Sequence, residues 1–214
     1  MSANPLIHRA SAAPSGGYRA MKRALDLSGS AIGLVLLAPL LLGVALAIAV
    51  SSGSASLFRQ HRVGQGGHEF MMWKFRTMRP DADQERAELF AHSRDAHWLQ
   101  LDHDPRITRL GGLLRRCSLD ELPQLVNILL GEMSFVGPRP LPVAEEALAP
   151  DWSQLRLEVR PGLTGLWQVM GRTRLPFLEM LRLDCEYVRA ASWRTDMRIL
   201  VRTIPAVLSG RGAN

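Results

Sequence analysis

The longest apolar run of the chain lies near its N-terminus. No charged residue occurs in residues 27–57, and residues 34–50 are almost wholly aliphatic. An uncharged run of this length is typical of a membrane segment. We therefore expect residues 21–58 to form a membrane element and residues 1–20, which lack an apolar period, to form a disordered tail.

A proline interrupts this apolar segment near its middle. Pro39 lacks a backbone N–H and disfavours helical conformation at Ala38. Each arm would reach only about 18 Å or slightly more, against a hydrocarbon core of about 30 Å. Basic residues flank both ends, Lys22 and Arg23 before the segment and Arg59 after it, which favours two cytoplasmic ends. The pattern indicates a re-entrant helix hairpin broken at Ala38 and Pro39, with a Pro-kinked spanning helix as the alternative.

The remaining pattern predicts an α+β fold that is mostly helical. Residues 57–78 contain two β-prone runs around a glycine-rich turn and predict a small β-hairpin. Residues 81–101 have helical composition without Gly or Pro. Short helical patterns follow, and we expect amphipathic interfacial helices among them, such as residues 177–190. Residues 59–214 are then one cytoplasmic domain.

The charge of the chain indicates an anionic partner. The net charge is +6, and Lys22 and Lys74 are the only lysines, so arginine supplies almost all of the positive charge. Arginine binds phosphate through a planar fork, which suits phosphorylated substrates, nucleic acid or acidic lipid. Arginine bias can equally reflect genomic composition. Cys117 and Cys185 are far apart in the sequence and show no metal-ligand spacing, which favours a reduced, cytosolic compartment.

The densest group of polar residues spans 115–124 and is followed by a Gly/Pro-rich block at 131–140. Ser118 and Glu121 match the S-x-x-E capping box, a purely structural interpretation. The same segment also suits chemistry, because the adjacent carboxylates Asp120 and Glu121 point in different directions, so that one can attack while the other holds a metal or a proton. Arg115 and Arg139 are suitable phosphate clamps. Both interpretations stay open on these residues alone.

Several ordered motifs carry a family resemblance. They are Lys22-Arg23 with Asp26, Gln60 with Arg62-Val63-Gly64, Lys74-Phe75-Arg76-Thr77-Met78, Asp104-Pro105-Arg106, the two blocks just described, the segment from Pro161 to Gln168, and Asp184 with Tyr187. Through them the chain resembles the monotopic phosphoglycosyl transferases of bacterial sugar transferase type, and its ending at residues 208–212 resembles their exopolysaccharide branch. The resemblance covers residues from about 20 to the end. Ala38 departs from it, since many relatives place Ser before the hairpin proline.

The resemblance implies an enzyme at the cytoplasmic face of the bacterial inner membrane, with residues 59–214 as its catalytic domain. It would transfer a hexose 1-phosphate, of galactose or glucose, from a UDP-sugar to undecaprenyl phosphate and release UMP. Asp120 would be the nucleophile that forms a covalent phosphosugar intermediate, and Asp120 and Glu121 would hold Mg²⁺. The other residues that the resemblance implies for substrate binding are Lys74, Arg76, Arg115, Gly137, Pro138, Arg139 and Gln168.

The expected partners are a UDP-sugar, undecaprenyl phosphate and inner-membrane lipid, while the sequence leaves open a homo-oligomer. A nucleic-acid-binding protein would account for the charge but not for the apolar segment, so nucleic acid is not an expected partner. A non-enzymatic membrane adaptor would make the Asp120–Glu121 pair accidental. Release of UMP from a UDP-sugar distinguishes the enzyme from the adaptor.

Overall fold

A computed structural model describes residues 16–171 and 175–208. Within these ranges the fold is mostly helical with two small sheets, which confirms the predicted class. The elements are α1 (Gly16–Ser52), β1 (Leu57–Val63), β2 (Glu69–Phe75), α2 (Arg86–Phe90), α3 (Arg109–Arg116), α4 (Leu125–Leu130), β3 (Ser134–Val136), α5 (Val143–Glu146), β4 (Gly162–Thr164), α6 (Leu166–Met170), α7 (Phe177–Arg189), α8 (Trp193–Leu208), and the 3₁₀ turns Gln65–Gly67, Leu119–Gln124 and Asp151–Glu158.

Helix α1 contains the predicted apolar segment. It has 37 residues and is about 55 Å long. Among the described residues it is the one helix long and apolar enough to cross a membrane. It begins at Gly16 rather than at residue 21, and residues 1–15 of the predicted tail lie outside the described part. One stripe of α1 packs on the rest of the protein, while large apolar side chains such as Val35 and Leu46 are exposed on the other side.

The predicted break does not divide α1 into two helices. Helical structure continues through Ala38 and Pro39. The two-armed hairpin is therefore not seen and stays a prediction. Both halves of α1 nevertheless contact the folded domain, because the Arg23 guanidinium donates to the carbonyls of Ile128 and Leu129 at 2.7 and 2.9 Å, and Ile48 packs in a cluster formed with β2 and α3.

The predicted β-hairpin is confirmed. Strands β1 and β2 pair antiparallel, with Phe58 opposite Lys74 and Arg62 opposite Phe70. The turn needs residues with positive φ, and Gly66 supplies one at 68°. Helix α4 is tied to this hairpin by one amide: the Asn127 side chain accepts the N–H of Trp73 at 3.1 Å and donates to the carbonyl of Met71 at 2.7 Å.

Helix α7 contributes most of its apolar side chains to the main core. Its buried residues include Phe177, Met180, Leu181, Leu183 and Tyr187. The main core combines them with residues of β3, α6 and α8. The prediction of an interfacial helix at residues 177–190 is therefore not confirmed, because neighbouring elements cover most of its apolar residues.

Residues 81–101 contain much less helix than their composition predicts. Only Arg86–Phe90 forms an α-helix there. The Ser93 hydroxyl accepts the N–H groups of Asp95 and Gln100, and the Asp95 carboxylate accepts the N–H of His97 at 2.8 Å. These side chains satisfy the backbone locally and so compete with a continuing helix.

Candidate active site

An open cleft of about 270 Å³ lies between the β1–β2 hairpin, the segment after β2 and the 3₁₀ turn Leu119–Gln124. Cations dominate its lining. The charged residues around it are Arg62, Lys74, Arg76, Arg79, Arg86, Arg106, Arg115 and Arg139, with the carboxylates Asp83, Asp120 and Glu121. An arginine-rich concave surface of this kind suits a ligand that carries several phosphate oxygens.

The hairpin presents one of its two faces to the cleft. Side chains alternate between faces along a strand, so Phe58, Gln60 and Arg62 of β1 lie on one face. Lys74 lies directly opposite Phe58 and therefore belongs to the same face. All four residues line the cleft. The strand register thus brings Arg62 of β1 and Lys74 of β2 to one surface.

A sharp turn delivers Asp120 to the cleft. Helix α3 ends at Arg116, and Ser118 follows with φ 55° and ψ 22°, a left-handed conformation that is uncommon for a residue with a side chain. The Ser118 side chain accepts no capping hydrogen bond from the 3₁₀ turn, so the serine half of the predicted capping box is not seen. Pro123 disfavours α-helical conformation at the residue before it and thus favours a short 3₁₀ turn.

Asp120 is a buried carboxylate among charges. Its side chain belongs to a residue only 7% exposed. Burial, reinforced by the neighbouring Glu121, raises the pKa of Asp120, while Lys74 and Arg115 oppose that rise. Lys74 Nζ donates to Glu121 Oε1 at 3.1 Å, which fixes the lysine beside the carboxylate pair. Such a carboxylate is poorly hydrated yet faces cations.

Arg139 lines the cleft from a different segment, the loop that follows β3. Its guanidinium lies 4.5 Å from the ring centroid of Trp167 and 5.6 Å from that of Trp98, which orients it by cation–π contact. The preceding loop is tightly packed: a Cβ on Gly137 would lie 2.4 Å from the carbonyl oxygen of Arg160. Glycine is therefore needed at this position for close backbone approach.

Most of the sequence-predicted residues converge on this cleft. Those that line it are Lys74, Arg76, Arg115, Asp120, Glu121, Arg139 and Gln168. Gly137 and Pro138 lie in the loop before Arg139 without lining the cleft, and Ala38 and Pro39 lie on α1 away from it.

Four cleft arginines were not singled out as site residues from the sequence, namely Arg62, Arg79, Arg86 and Arg106, and the first and last of them are buried. Arg62 is buried and donates to the carbonyl of Pro140 at 3.0 Å and to Gln60 Oε1 at 2.6 Å. Arg106 forms a two-pronged pair with Asp104. The period of two along β1 could have placed Arg62 beside Lys74. No local pattern places Arg106, because its position depends on how the long segment after β2 folds back.

The carboxylates of the cleft fit a magnesium ion. The described residues contain no group of three or more His, Cys, Asp or Glu side chains that could hold a metal by themselves. Mg²⁺, however, is usually held by one or two carboxylates together with substrate phosphates and water. Asp120 and Glu121 provide two such carboxylates in the arginine-lined cleft.

The fold and this cleft together define a protein with one long, largely exposed apolar helix and an arginine-lined cleft around a buried carboxylate. A family model described as bacterial sugar transferase matches residues 17–210. The chain therefore belongs to the bacterial sugar transferase family.

Named relatives cover most of the chain. It is 40% identical over 205 residues to the exopolysaccharide production protein ExoY of Rhizobium meliloti (strain 1021), covering 94% of this chain and 90% of that protein. It is 41% identical over 202 residues to a UDP-glucose:undecaprenyl-phosphate glucose-1-phosphate transferase of Caulobacter vibrioides, covering 88% of this chain and 70% of the relative. An undecaprenyl-phosphate galactose phosphotransferase of Salmonella typhimurium is 37% identical over 200 residues, which cover 91% of this chain and 42% of that longer protein.

Proposed function

We infer that this protein transfers a hexose 1-phosphate from a UDP-sugar to undecaprenyl phosphate and releases UMP. The observation that carries the inference is Asp120, a carboxylate buried at the wall of an arginine-lined cleft. Named relatives with this reaction support it, and so does the exopolysaccharide relative. The reaction would be the first membrane step in the assembly of an exopolysaccharide or another glycoconjugate.

In the first step an Asp120 oxygen attacks the phosphorus that bears the sugar. A bond forms between that oxygen and the phosphorus, the bond from this phosphorus to the bridging oxygen breaks, and UMP leaves with the electron pair. Phosphoryl transfer depends mainly on positioning and on neutralising charge around the reacting phosphorus. Arg115 and Arg139 line the cleft and would bind phosphate oxygens, while Lys74, which donates to Glu121, would balance the charge of the carboxylate pair.

In the second step a phosphate oxygen of undecaprenyl phosphate attacks the same phosphorus. The bond from Asp120 to phosphorus breaks, the carboxylate is restored, and the product is a lipid-linked sugar diphosphate. Arg76 is suited to the acceptor phosphate, because it lines the cleft and its Nε donates to the carbonyl of Ala55 at 2.9 Å, in the link between α1 and β1. That link joins the apolar helix to β1, so the contact holds Arg76 close to the chain that leaves α1.

Magnesium completes the proposal. Asp120 and Glu121 would hold Mg²⁺ together with substrate phosphate, and the bound ion supplies positive charge against the phosphate oxygens. The cationic side chains of the cleft would hold the diphosphate with their own charges. Glu121, which is paired with Lys74, directly follows Asp120 in the chain and would orient the Asp120 carboxylate.

The packing of α1 supports attachment from the cytoplasmic side with both ends of α1 on that side. A helix that stood upright across the bilayer while contacting the domain from Arg23 to Ile48 would draw polar parts of the domain into hydrocarbon. Basic residues flank both ends. Further exposed apolar side chains suited to the membrane surface are Leu113, Leu130, Val201 and Ile204.

The sugar is proposed as glucose or galactose, following the relatives named for each. The test is a screen of UDP-glucose, UDP-galactose and their N-acetylated counterparts for UMP release by the detergent-solubilised full chain with undecaprenyl phosphate and Mg²⁺. We expect UMP release with one of the two hexoses and formation of a lipid-linked sugar diphosphate. If none of these UDP-sugars gave UMP release, the proposed transferase activity would be refuted and a non-enzymatic adaptor would be favoured.

A further inference from the structure

The backbone of Arg139 is held at both of its polar groups by buried charged side chains. Its N–H donates to Asp184 Oδ2 at 2.9 Å, and its carbonyl accepts a hydrogen bond from Arg156 Nη2. Asp184 is 0% and Arg156 2% exposed. The two charged groups also face each other, with Arg156 Nε at 3.6 Å from Asp184 Oδ2. Asp184 lies on α7 and Arg156 on the 3₁₀ turn Asp151–Glu158, so two separate elements meet at one peptide unit.

Two flanking prolines distinguish the peptide unit of Arg139 from an ordinary loop peptide. Pro138 and Pro140 have no backbone N–H, so Arg139 supplies the single backbone donor of the tripeptide. The prolines also restrict the φ angles on either side. Holding the N–H and the carbonyl of Arg139 therefore fixes the direction in which its side chain leaves the loop.

The buried pair is not arranged as stability alone would favour. Asp184 Oδ1 and Arg156 Nε have no hydrogen-bond partner among the described residues. Burial raises the pKa of Asp184 to about 7, although Arg156 and the Arg139 N–H oppose the rise. Arg156 is further paired with Glu146. A buried ion pair with unsatisfied atoms contributes little to stability, whereas sites that conflict with local stability are commonly functional.

These backbone contacts fix the direction of the Arg139 guanidinium before a ligand binds. The Arg139 side chain lies against the rings of Trp167 and Trp98 in the same cleft as Asp120. A cation that is already in place when a phosphate arrives loses little side-chain freedom on binding.

We propose that Asp184 and Arg156 are positioning residues, which hold the Arg139 backbone so that its guanidinium meets the diphosphate of the UDP-sugar. Neither lines the cleft, and both act through Arg139. The proposal rests on the proposed function. It adds to that function two buried charged residues outside the cleft, which fix the position of the arginine that would bind the UDP-sugar.

The test is a double-mutant cycle between Asp184→Ala and Arg139→Ala in the full chain, read as kcat/KM for UMP release and as the Kd of UDP by calorimetry. Arg139→Ala keeps the backbone groups, so the cycle isolates the side chain. We expect Asp184→Ala to lower kcat/KM about 10- to 100-fold, the scale of a misplaced binding group, and to have little further effect in the Arg139→Ala background. Asp184→Asn, which keeps an oxygen acceptor for the N–H, should restore most of the loss.

Glu186→Gln is the matched control, because it removes a charge from the same helix at a residue outside the cleft. It should leave both readouts unchanged. If Asp184→Ala does not fold, Arg156→Lys takes its place in the cycle, since a lysine cannot reach the three groups that the Arg156 fork contacts.

Equal losses in the two backgrounds, or full activity in a folded Asp184→Ala variant, would overturn the positioning role. If the wild type bound UDP without releasing UMP from any UDP-sugar, the proposed function would fail while the UDP titrations still decided the positioning role. If Arg139→Ala left the Kd of UDP unchanged, the Arg139 guanidinium would not bind the diphosphate. Asp184 and Arg156 would then have no binding group to position, and the proposal would fail.

Discussion

Replacing Asp120 with asparagine separates the chemistry of this carboxylate from any role in folding. Burial raises its pKa, so above its unfolded-state pKa the ionised group is less stable in the folded chain than in the unfolded chain. The penalty is absent at low pH, where the group is protonated in both states, and complete above the folded-state pKa. Asparagine has nearly the same size and no charge. We therefore expect the free energy of unfolding of Asp120→Asn at neutral pH to equal or exceed that of the wild type.

Catalysis should respond in the opposite direction. An amide is a far poorer nucleophile than a carboxylate, and loss of the group that forms a covalent intermediate lowers turnover by about 10⁴- to 10⁶-fold. Asp120→Asn should thus be a stable, membrane-bound protein without transferase activity. A residue that mainly stabilised the turn would give the reverse result, with lowered stability and nearly normal turnover.

Intact-protein mass spectrometry after incubation with UDP-sugar and Mg²⁺, without lipid acceptor, measures the adduct directly, and thermal unfolding measures stability. Wild type should gain one hexose phosphate and the variant none. Asp81→Asn is the matched control, because Asp81 is exposed, pairs loosely with Arg79 at 3.9 Å and does not line the cleft. An adduct of normal yield on Asp120→Asn would refute the nucleophile, and a large loss of stability would refute the electrostatic reasoning.

Four further predictions follow from the same geometry. Lys74→Gln removes a charge that lowers the pKa of Asp120, so the acidic limb of the pH profile of UMP release should move to higher pH; an unmoved limb would exclude this coupling. Arg76→Gln should form the adduct normally but transfer it to undecaprenyl phosphate roughly 10- to 100-fold more slowly, the worth of a charge-assisted hydrogen bond, whereas equal slowing of both half-reactions would contradict an acceptor role. A chelator should abolish UMP release and added Mg²⁺ should restore it, and turnover in excess chelator would exclude the ion. Gly137→Ala should lower the free energy of unfolding by about 1–3 kcal/mol through the clash with Arg160, measured by denaturant titration, and unchanged stability would show that the loop can relax.

The β1–β2 hairpin and the Asp120–Glu121 pair were predictable from the sequence because their signals are local. Two β-prone runs around a glycine turn specify β1 and β2, and alternation along them specifies which side chains share a face. Asp120 and Glu121 are adjacent, so their proximity needs no tertiary information. The long apolar run likewise predicts α1 by composition alone, although not where along the domain it packs.

Other features depend on contacts that no local pattern contains. The helical composition of residues 81–101 gives way to turns because Ser93 and Asp95 bond nearby backbone groups. Helix α7 has an interfacial pattern in sequence, yet neighbouring elements cover it in the core. The Asp184 contact to Arg139 joins residues 45 positions apart, which periodicity and spacing cannot indicate.

The position of the cleft relative to α1 fits a reaction between a soluble donor and a lipid acceptor. An undecaprenyl chain stays in the bilayer, so its phosphate can reach a nucleophile only near the membrane surface. Val44 and Ile48 of α1 pack on Phe75 and Leu114, and those two residues directly precede Arg76 and Arg115 of the cleft. The side chains that anchor the apolar helix are therefore chain neighbours of the cations that would bind phosphate. A shift of α1 along the domain would therefore be expected to move Phe75 and Leu114, and with them the adjacent Arg76 and Arg115.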